Sequence, residues 1–155
     1  HIELNEAVSN ISEHDESDNQ RSRTGYVNRS TTGRSAEEYF KNHHKEHGEP
    51  MQGNLHDRRD DGCGYDFEII NDDQLIKIEV KGLSGESGGV QFTSKEWDVA
   101  NKSGDNYYLA IVRNVESEPY LVFIQNPYRH LEAQKSIQTV IQVRWNVAAN
   151  QIDDR

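Results

Sequence analysis

Three charged side chains stand beside short apolar runs of this sequence, at positions where packing alone would not favour a charge. Asp66 lies in the run at residues 65–70, Glu79 lies in the run at residues 75–80, and Lys81 follows this second run directly. Two neighbouring carboxylates repel each other unless a proton or a cation lies between them. Mg²⁺ is held in proteins by one or two carboxylates together with water and phosphate oxygens. These residue types therefore fit phosphodiester hydrolysis, with the lysine holding the attacking water or the scissile phosphate.

The two runs that carry these charges predict a β-hairpin. Both are rich in Ile, Val, Phe and Tyr, and turn-forming residues lie between them at positions 71–74. Side chains two residues apart on a strand point to the same face, so Glu79 and Lys81 share a face. A blander alternative stays open here, because charged hairpin faces are common and are often simply solvated.

Three segments surround these charges: GYDF at residues 64–67, IEVKG at residues 78–82 and FTSKEW at residues 92–97. Together they resemble the PD-(D/E)xK superfamily of restriction and repair nucleases. Within it they resemble the branch of the C-terminal domain of the plant NO VEIN protein, which recurs in bacterial restriction and defence proteins. The resemblance extends over residues 33–128. The proline that precedes the aspartate in the superfamily is absent, and Gly64-Tyr65 takes its place.

The resemblance implies an endonuclease that hydrolyses DNA with Mg²⁺ or Mn²⁺ as its cofactor. Asp66, Glu79 and the Val80 carbonyl would bind the metal. The metal would polarise the phosphate and lower the pKa of the attacking water. Lys81 would orient that water or steady the charge of the transition state.

The resemblance adds three further candidates. In the resembling family a Gly-x-x-Ala-Glu helix lends an acid to the active site, and residues 33–37 match that pattern. Glu37 is thus a candidate catalytic carboxylate acting through a metal-bound water, although it would equally complement the helix dipole from the first turn. The Thr-x-x-Glu-Trp segment borders the family's active site, which makes Gln91 and Lys95 secondary candidates for binding phosphate or water.

The patterns on either side of the hairpin predict two helices and a loop. Ser35 is the expected N-cap of a first helix that ends near Gly48, and Thr93-x-x-Glu96 is the capping box expected to open a second helix over residues 94–102. Residues 49–63 are expected to form a loop. Its Arg58 and Arg59 either contact phosphate or neutralise the neighbouring aspartates, and the second interpretation is favoured.

The rest of the chain predicts mostly strands. Apolar runs indicate strands at residues 90–93, 107–115, 120–125 and 139–147, with a short helix at residues 131–137. The whole is an α/β fold with a restriction-endonuclease-like core in the order α-β-β-β-α-β and a strand-rich C-terminal extension. That order is the one the superfamily implies.

The composition describes one acidic domain. Lys and Arg number 17 against 27 Asp and Glu among 155 residues, which gives a net charge of −10, and this length suits a single domain. Residues 1–32 hold six acids and three bases, a net charge of −3, and their polar composition predicts a linker or extension. The predicted domain spans residues 33–150, and residues 151–155 form a polar tail.

Acidity is unfavourable for a protein that binds DNA by its own field. We therefore expect DNA as the partner of a module tethered to, or associated with, a DNA-recognition or motor domain that supplies affinity by effective concentration. A homodimer is a further expected arrangement. No apolar run approaches the roughly 20 residues of a membrane span, so no membrane partner is expected. The expected location is the cytoplasm of a bacterium or the nucleus of a plant cell.

Two other functions stay open. A nuclease-like module without activity could bind DNA or a partner protein, since a fold does not fix a function. A strand-rich interaction domain with a solvated charged hairpin face is the blander choice, and the negative charge favours it. The sequence contains no P-loop, no Gly-x-Ser-x-Gly elbow and no dinucleotide fingerprint, so the corresponding enzyme classes have no local support.

Overall fold

The computed structural model of the protein describes residues 30–153. The predicted extension at residues 1–32 lies outside this range except for its last three residues. Within the range no helix is long and apolar enough to cross a lipid bilayer. In chain order the elements are α1 (Thr31–His47), β1 (Asn54–Asp57), β2 (Phe67–Asn71), β3 (Gln74–Gly82), α2 (Ser94–Ser103), β4 (Tyr107–Arg113), β5 (Tyr120–Gln125) and α3 (Pro127–His130).

The five strands form one mixed sheet in which they lie side by side in chain order. The pairs β1–β2, β2–β3 and β4–β5 are antiparallel, whereas β3 and β4 are parallel. Parallel neighbours need a crossover connection, and here residues 83–106, which include α2, supply it. The nine-residue β3 is the central strand, and both of its edges are paired.

One face of the sheet packs against α1 and forms the main core. Phe40 of α1 contacts the ring of Phe67 in β2 with 5.3 Å between centroids, and both side chains are fully buried. Gly82 at the end of β3 permits this close packing, because a Cβ at that position would lie 2.8 Å from the Ala36 Cβ and 3.0 Å from the Thr32 carbonyl oxygen. The core cluster contains Ala36, Phe40, Phe67, Ile69, Ile76, Ile78, Val80, Ala110 and Val112.

The predicted start of the first helix is wrong by about one turn. The N-cap is Ser30, whose Oγ accepts a hydrogen bond from the Gly33 amide at 3.1 Å, and Ser35 lies inside the helix. Both serines have a suitable residue type, and the longer helix is stabilised by packing of Thr32 and Ala36 against the end of β3. The predicted end is confirmed, since Gly48 closes the helix at a φ of 65°.

The predicted loop at residues 49–63 contains a strand. β1 is short and largely exposed, and its polar sequence carries little strand signal. Its register with β2, in which Leu55 lies opposite Ile69, shows that the vacant edge of β2 determines its conformation, in keeping with the strong context dependence of β-propensity.

The predicted strand at residues 90–93 is wrong, because β2 and β4 already occupy both edges of β3. The order of one helix, three strands, a helix and a strand is still observed, with β1 in place of residues 90–93. The hairpin, the second helix with its capping box, and the strand at residues 120–125 are confirmed.

The C-terminal extension contains fewer strands than predicted. After β5 the chain forms only the four-residue α3 and a 3₁₀ turn, Ala149–Gln151. The predicted helix at residues 131–137 and the predicted strand at residues 139–147 are both wrong. Their apolar side chains are not covered by the described chain: Val143 is 78% exposed and Trp145 is 93% exposed.

Candidate functional site

A cleft of about 660 Å³ opens at the carboxyl end of β3. The first turns of α1 and α2, the loop that precedes β2 and the segment that follows β3 surround it. The cleft brings together residues that are far apart in the sequence, and all seven predicted site residues line it, namely Glu37, Asp66, Glu79, Val80, Lys81, Gln91 and Lys95.

Asp66 and Glu79 both line this cleft, and they lie close enough for the charge of Asp66 to raise the pKa of Glu79. Phe67 lies opposite Ile78, and the amide of Asp66, which precedes β2, donates to the carbonyl of this same Ile78 at 2.9 Å, so Asp66 does not continue the register of the two strands. The Asp66 Oδ2 accepts a hydrogen bond from the Val80 amide, also at 2.9 Å. The N–H and C=O of one strand residue point to the same side, so the Val80 carbonyl opens on the side of Asp66.

Lys81 lies between two carboxylates. Its Nζ is 2.8 Å from the Glu79 Oε1 and 2.9 Å from the Glu96 Oε2, and it also lies 5.4 Å from the centroid of the Phe92 ring. Glu96 simultaneously accepts from the Thr93 amide at 2.9 Å as part of the capping box of α2. The lysine is thereby fixed to the helix as well as to its own strand.

Burial and neighbouring charges shift the pKa values of Glu79 and Lys81. Glu79 is only 3% exposed, and burial together with the negative charge of Asp66 raises its pKa well above the ordinary value, although Lys81 acts in the opposite direction. Burial alone would lower the pKa of Lys81, but Glu79 and Glu96 more than offset it and raise that pKa. Glu79 is buried, so the alternative of a merely solvated charged hairpin face is wrong.

Glu37 lies on the cleft wall and is bound by an arginine. It is 5% exposed, and its Oε2 accepts a hydrogen bond from the Arg59 Nη1 at 3.0 Å. The alternative role at the helix dipole is wrong, because α1 has no acidic residue in its first turn. Arg59 also binds Asp57 and lies 5.1 Å from the centroid of the Phe67 ring.

Sequence reasoning missed the roles of Arg59, Glu96 and Tyr107. Arg59 was expected to neutralise nearby aspartates and it does bind Asp57, but its contact with Glu37 joins residues 22 positions apart, and no local signal reveals it. The Tyr107 hydroxyl donates to the Gly64 carbonyl at 2.9 Å. Burial and the nearby Glu79 and Glu96 raise the pKa of Tyr107, so this hydroxyl keeps its proton and fixes the loop before Asp66.

Gly64 is required where this loop meets α2. Its φ is 90°, and a Cβ would lie 2.8 Å from the Val99 Cγ2. Gln91 and Lys95 also line the cleft, and both are exposed. The Trp97 ring packs between Phe92 and Tyr128, at 4.9 Å and 5.2 Å between centroids.

The donor atoms fit a magnesium ion only in a two-carboxylate arrangement. Within residues 30–153 no group of three or more His, Cys, Asp or Glu side chains is arranged to hold a metal ion. Asp66 and Glu79 supply two carboxylates and Val80 a carbonyl, and Mg²⁺ accepts such a set when water completes its shell. Burial is the main cause of the raised pKa of Glu79, and the negative charge of Asp66 raises it further. A cation between the two carboxylates would offset this repulsion.

The chain matches a known protein family over more than half of its length. The model of the family described as the C-terminal domain of protein NO VEIN matches residues 34–124. The matched segment runs from α1 to β5 and contains every residue of the cleft floor. No curated protein and no solved structure matches the chain significantly.

Proposed function

We propose that this chain, which belongs to the family of NO VEIN C-terminal domains, is a metal-dependent nuclease domain with a restriction-endonuclease-like core that hydrolyses DNA phosphodiesters. The observation that carries the proposal is the pair formed by the buried Glu79 and the partly buried Asp66, with the Lys81 Nζ 2.8 Å from the Glu79 Oε1. The pair lies at the floor of an open cleft rather than inside the core. Mg²⁺ or Mn²⁺ is the proposed cofactor.

Burying these charged side chains costs desolvation free energy, and apolar packing around them does not offset that cost. A buried carboxylate is expensive unless it is paired and hydrogen-bonded, and here a second carboxylate raises the cost further. A protein is often equally stable, or more stable, when a buried ion pair is replaced by apolar side chains of similar volume. Perturbed carboxylates in a cleft are therefore typical of a functional site, and this supports a catalytic role.

Different residues of the cleft would bind the metal ion and stabilise the transition state of hydrolysis. Asp66, Glu79 and the Val80 carbonyl would hold the divalent ion, which supplies Lewis-acid activation of the phosphate and of water. Lys81 stays protonated, because Glu79 and Glu96 raise its pKa, so it donates hydrogen bonds to the attacking water or to the phosphate oxygens. A fixed ammonium group at that position stabilises the negative charge that grows in the transition state.

Two exposed residues that line the cleft are suited to binding the phosphates of the DNA backbone. Lys95 and Gln91 line the cleft and can contact phosphate oxygens, whereas Glu37 is already bound by Arg59. A net charge of −10 makes non-specific DNA binding weak, because such binding depends on neutralising phosphates. A DNA-recognition or motor module, joined to this domain or associated with it, would supply the missing affinity.

The decisive experiment measures cleavage of plasmid DNA by the purified chain with Mg²⁺, Mn²⁺ or EDTA. Asp66→Asn and Glu79→Gln keep the size of each side chain but remove its charge, and Lys81→Ala removes the ammonium group. Each variant should lose at least about 100-fold in rate, as removal of one catalytic electrostatic contact commonly does. Asp98→Asn is the matched control, because Asp98 is exposed and forms a salt bridge with the exposed Lys102 of the same helix, α2.

The outcomes separate the proposal from its rivals when thermal melts of every variant accompany the assay. Full cleavage by Glu79→Gln and Lys81→Ala would overturn the assignment. An inactive wild type that binds DNA would favour the second candidate, a binding module without activity. One observation favours that candidate: Lys81 and Glu37 already have partners within the protein.

A further inference from the structure

Strand β5 leaves an apolar edge of the sheet open. It pairs with β4 on one side, and it is the last strand in the order of the sheet formed by residues 30–153. Its four central residues, 121–124, are all apolar and only partly buried. Exposed apolar edge strands are aggregation hazards that native proteins usually cover or blunt with charge, and residues 121–124 carry no charge.

The same chain contains a strand-like segment without a place in the sheet. From residue 141 onward, apolar residues alternate with the polar Gln142, Arg144 and Asn146, which is the two-residue period of a strand with one apolar face. The structure assigns no strand there. The apolar row is strongly exposed in the single chain: Ile141 85%, Val143 78%, Trp145 93% and Val147 64%.

We propose that residues 139–147 of one copy of this chain add as a sixth strand to the β5 edge of a second copy, and that the exchange is reciprocal. Residues 30–153 of one chain cover neither half of the contact, and every molecule carries both halves. A two-fold arrangement therefore satisfies both edges and closes the assembly, as isologous dimers do. Strand addition at an open edge draws its affinity from backbone hydrogen bonds and its specificity from alternate side chains.

The charge distribution is compatible with this pairing. Residues 131–148 contain Lys135 and Arg144 against a single acid, Glu132, so the segment carries +1 in a chain of net charge −10. The turn that leads into β5 carries Glu116 and Glu118. A basic segment therefore approaches an acidic edge, although the two whole chains repel each other.

The test compares the mass in solution of the full chain with that of two lysine variants. Val143→Lys with Trp145→Lys places two charges on the apolar face of the segment. The matched control, Gln142→Lys with Asn146→Lys, adds the same two charges to the polar face, and all four positions are exposed in the single chain. The folded monomer therefore tolerates either pair, which thermal melts will verify.

Light scattering should give the wild type twice the 17.8 kDa monomer mass. The control should stay dimeric, and the Val143→Lys/Trp145→Lys variant should be monomeric, with a dimer dissociation constant raised by more than about tenfold. Amide exchange at residues 139–147 should be slow in the dimer and fast in that variant. A monomeric wild type would overturn the proposal, whether its segment is protected by its own chain or not. A dimer that survives the apolar-face lysines would overturn it equally.

Discussion

Consecutive residues of β3 face two opposite environments. Ile78 and Val80 point to the α1 side and are buried among apolar side chains. Glu79 and Lys81 point to the α2 side, where their partners are carboxylates, an ammonium group and the Phe92 ring. Glu79 is buried and Lys81 partly buried, so hydrophobic burial alone does not explain the second face. The difference shows that one strand combines a stabilising face with a face whose charges cost free energy.

The two faces predict opposite responses to mutation. A side chain on the apolar face contributes through the area it removes from water and through the cavity its loss would leave. On the charged face each side chain matters through its partners. Removal of one charge either leaves a partner uncompensated or relieves a repulsion, and the electrostatics of the site decide which.

The largest effect is expected on the apolar face, from Phe67→Ala. Phe67 is fully buried and contacts Phe40, so the loss of its ring should lower the free energy of unfolding by about 3–5 kcal/mol. Urea denaturation monitored by tryptophan fluorescence measures this. Leu75→Ala is the control, because Leu75 is 39% exposed and should lose far less. Equal losses at the two positions would show that the apolar face is not the main stabilising contact.

On the charged face, Lys81→Ala should lower the free energy of unfolding by about 3 kcal/mol at neutral pH. It leaves Glu79 and Glu96 without their shared cation, and removal of one partner from a buried pair costs on the order of 3–5 kcal/mol. The lysine side chain is 15% exposed, so water partly screens the pair and the expected loss lies at the lower end of that range. Lys102→Ala breaks an exposed pair with Asp98 and should change stability by less than about 1 kcal/mol. A negligible loss in Lys81→Ala would indicate that Glu79 is already protonated.

The comparison also explains how far the sequence alone could predict this structure. The alternation of apolar and charged residues in β3 follows from local sequence, so the hairpin and its charged face were predictable. The capping box of α2 was predictable for the same reason, because its hydrogen bonds join residues three apart. All seven predicted site residues line the one cleft.

The errors arose where contacts distant in sequence decide the conformation. β1 is a strand because the edge of β2 was vacant, and residues 90–93 are not a strand because both edges of β3 were occupied. The contact of Arg59 with Glu37 has no local pattern behind it. The segment at residues 139–147 has a strand pattern and lacks a strand partner within the described chain, so pattern alone was insufficient.

A smaller effect is expected where helix α2 meets the charged face. Thr93→Ala removes the hydroxyl that accepts from the Glu96 amide at 3.1 Å and should lower the free energy of unfolding by about 1 kcal/mol, as loss of an N-cap usually does. Thr93→Ser keeps the hydroxyl and should restore most of that stability. An unchanged stability in Thr93→Ala would show that the Glu96 side chain alone fixes the helix start.

The last effect has the opposite sign and depends on pH. Burial and the charge of Asp66 raise the pKa of Glu79 in the folded protein, whereas the unfolded chain has the ordinary value near 4.5. As the pH rises above 4.5, the unfolded state loses this proton before the folded state does, so Glu79 lowers the stability of the wild type progressively until the pH passes its folded pKa.

Glu79→Gln removes this penalty and keeps the shape of the side chain. In EDTA the variant should match the wild type near pH 4.5 and become more stable than the wild type as the pH rises, because only the wild type must ionise a buried acid beside Asp66. Urea titrations across that range measure the difference, with Asp98→Asn as the exposed control. Mg²⁺ should reverse the order by stabilising the wild type alone, since a ligand stabilises the state that binds it. A variant less stable than the wild type at high pH in EDTA would show that the attraction of Lys81 outweighs burial and Asp66, and the charged face would then be a stabilising ion pair.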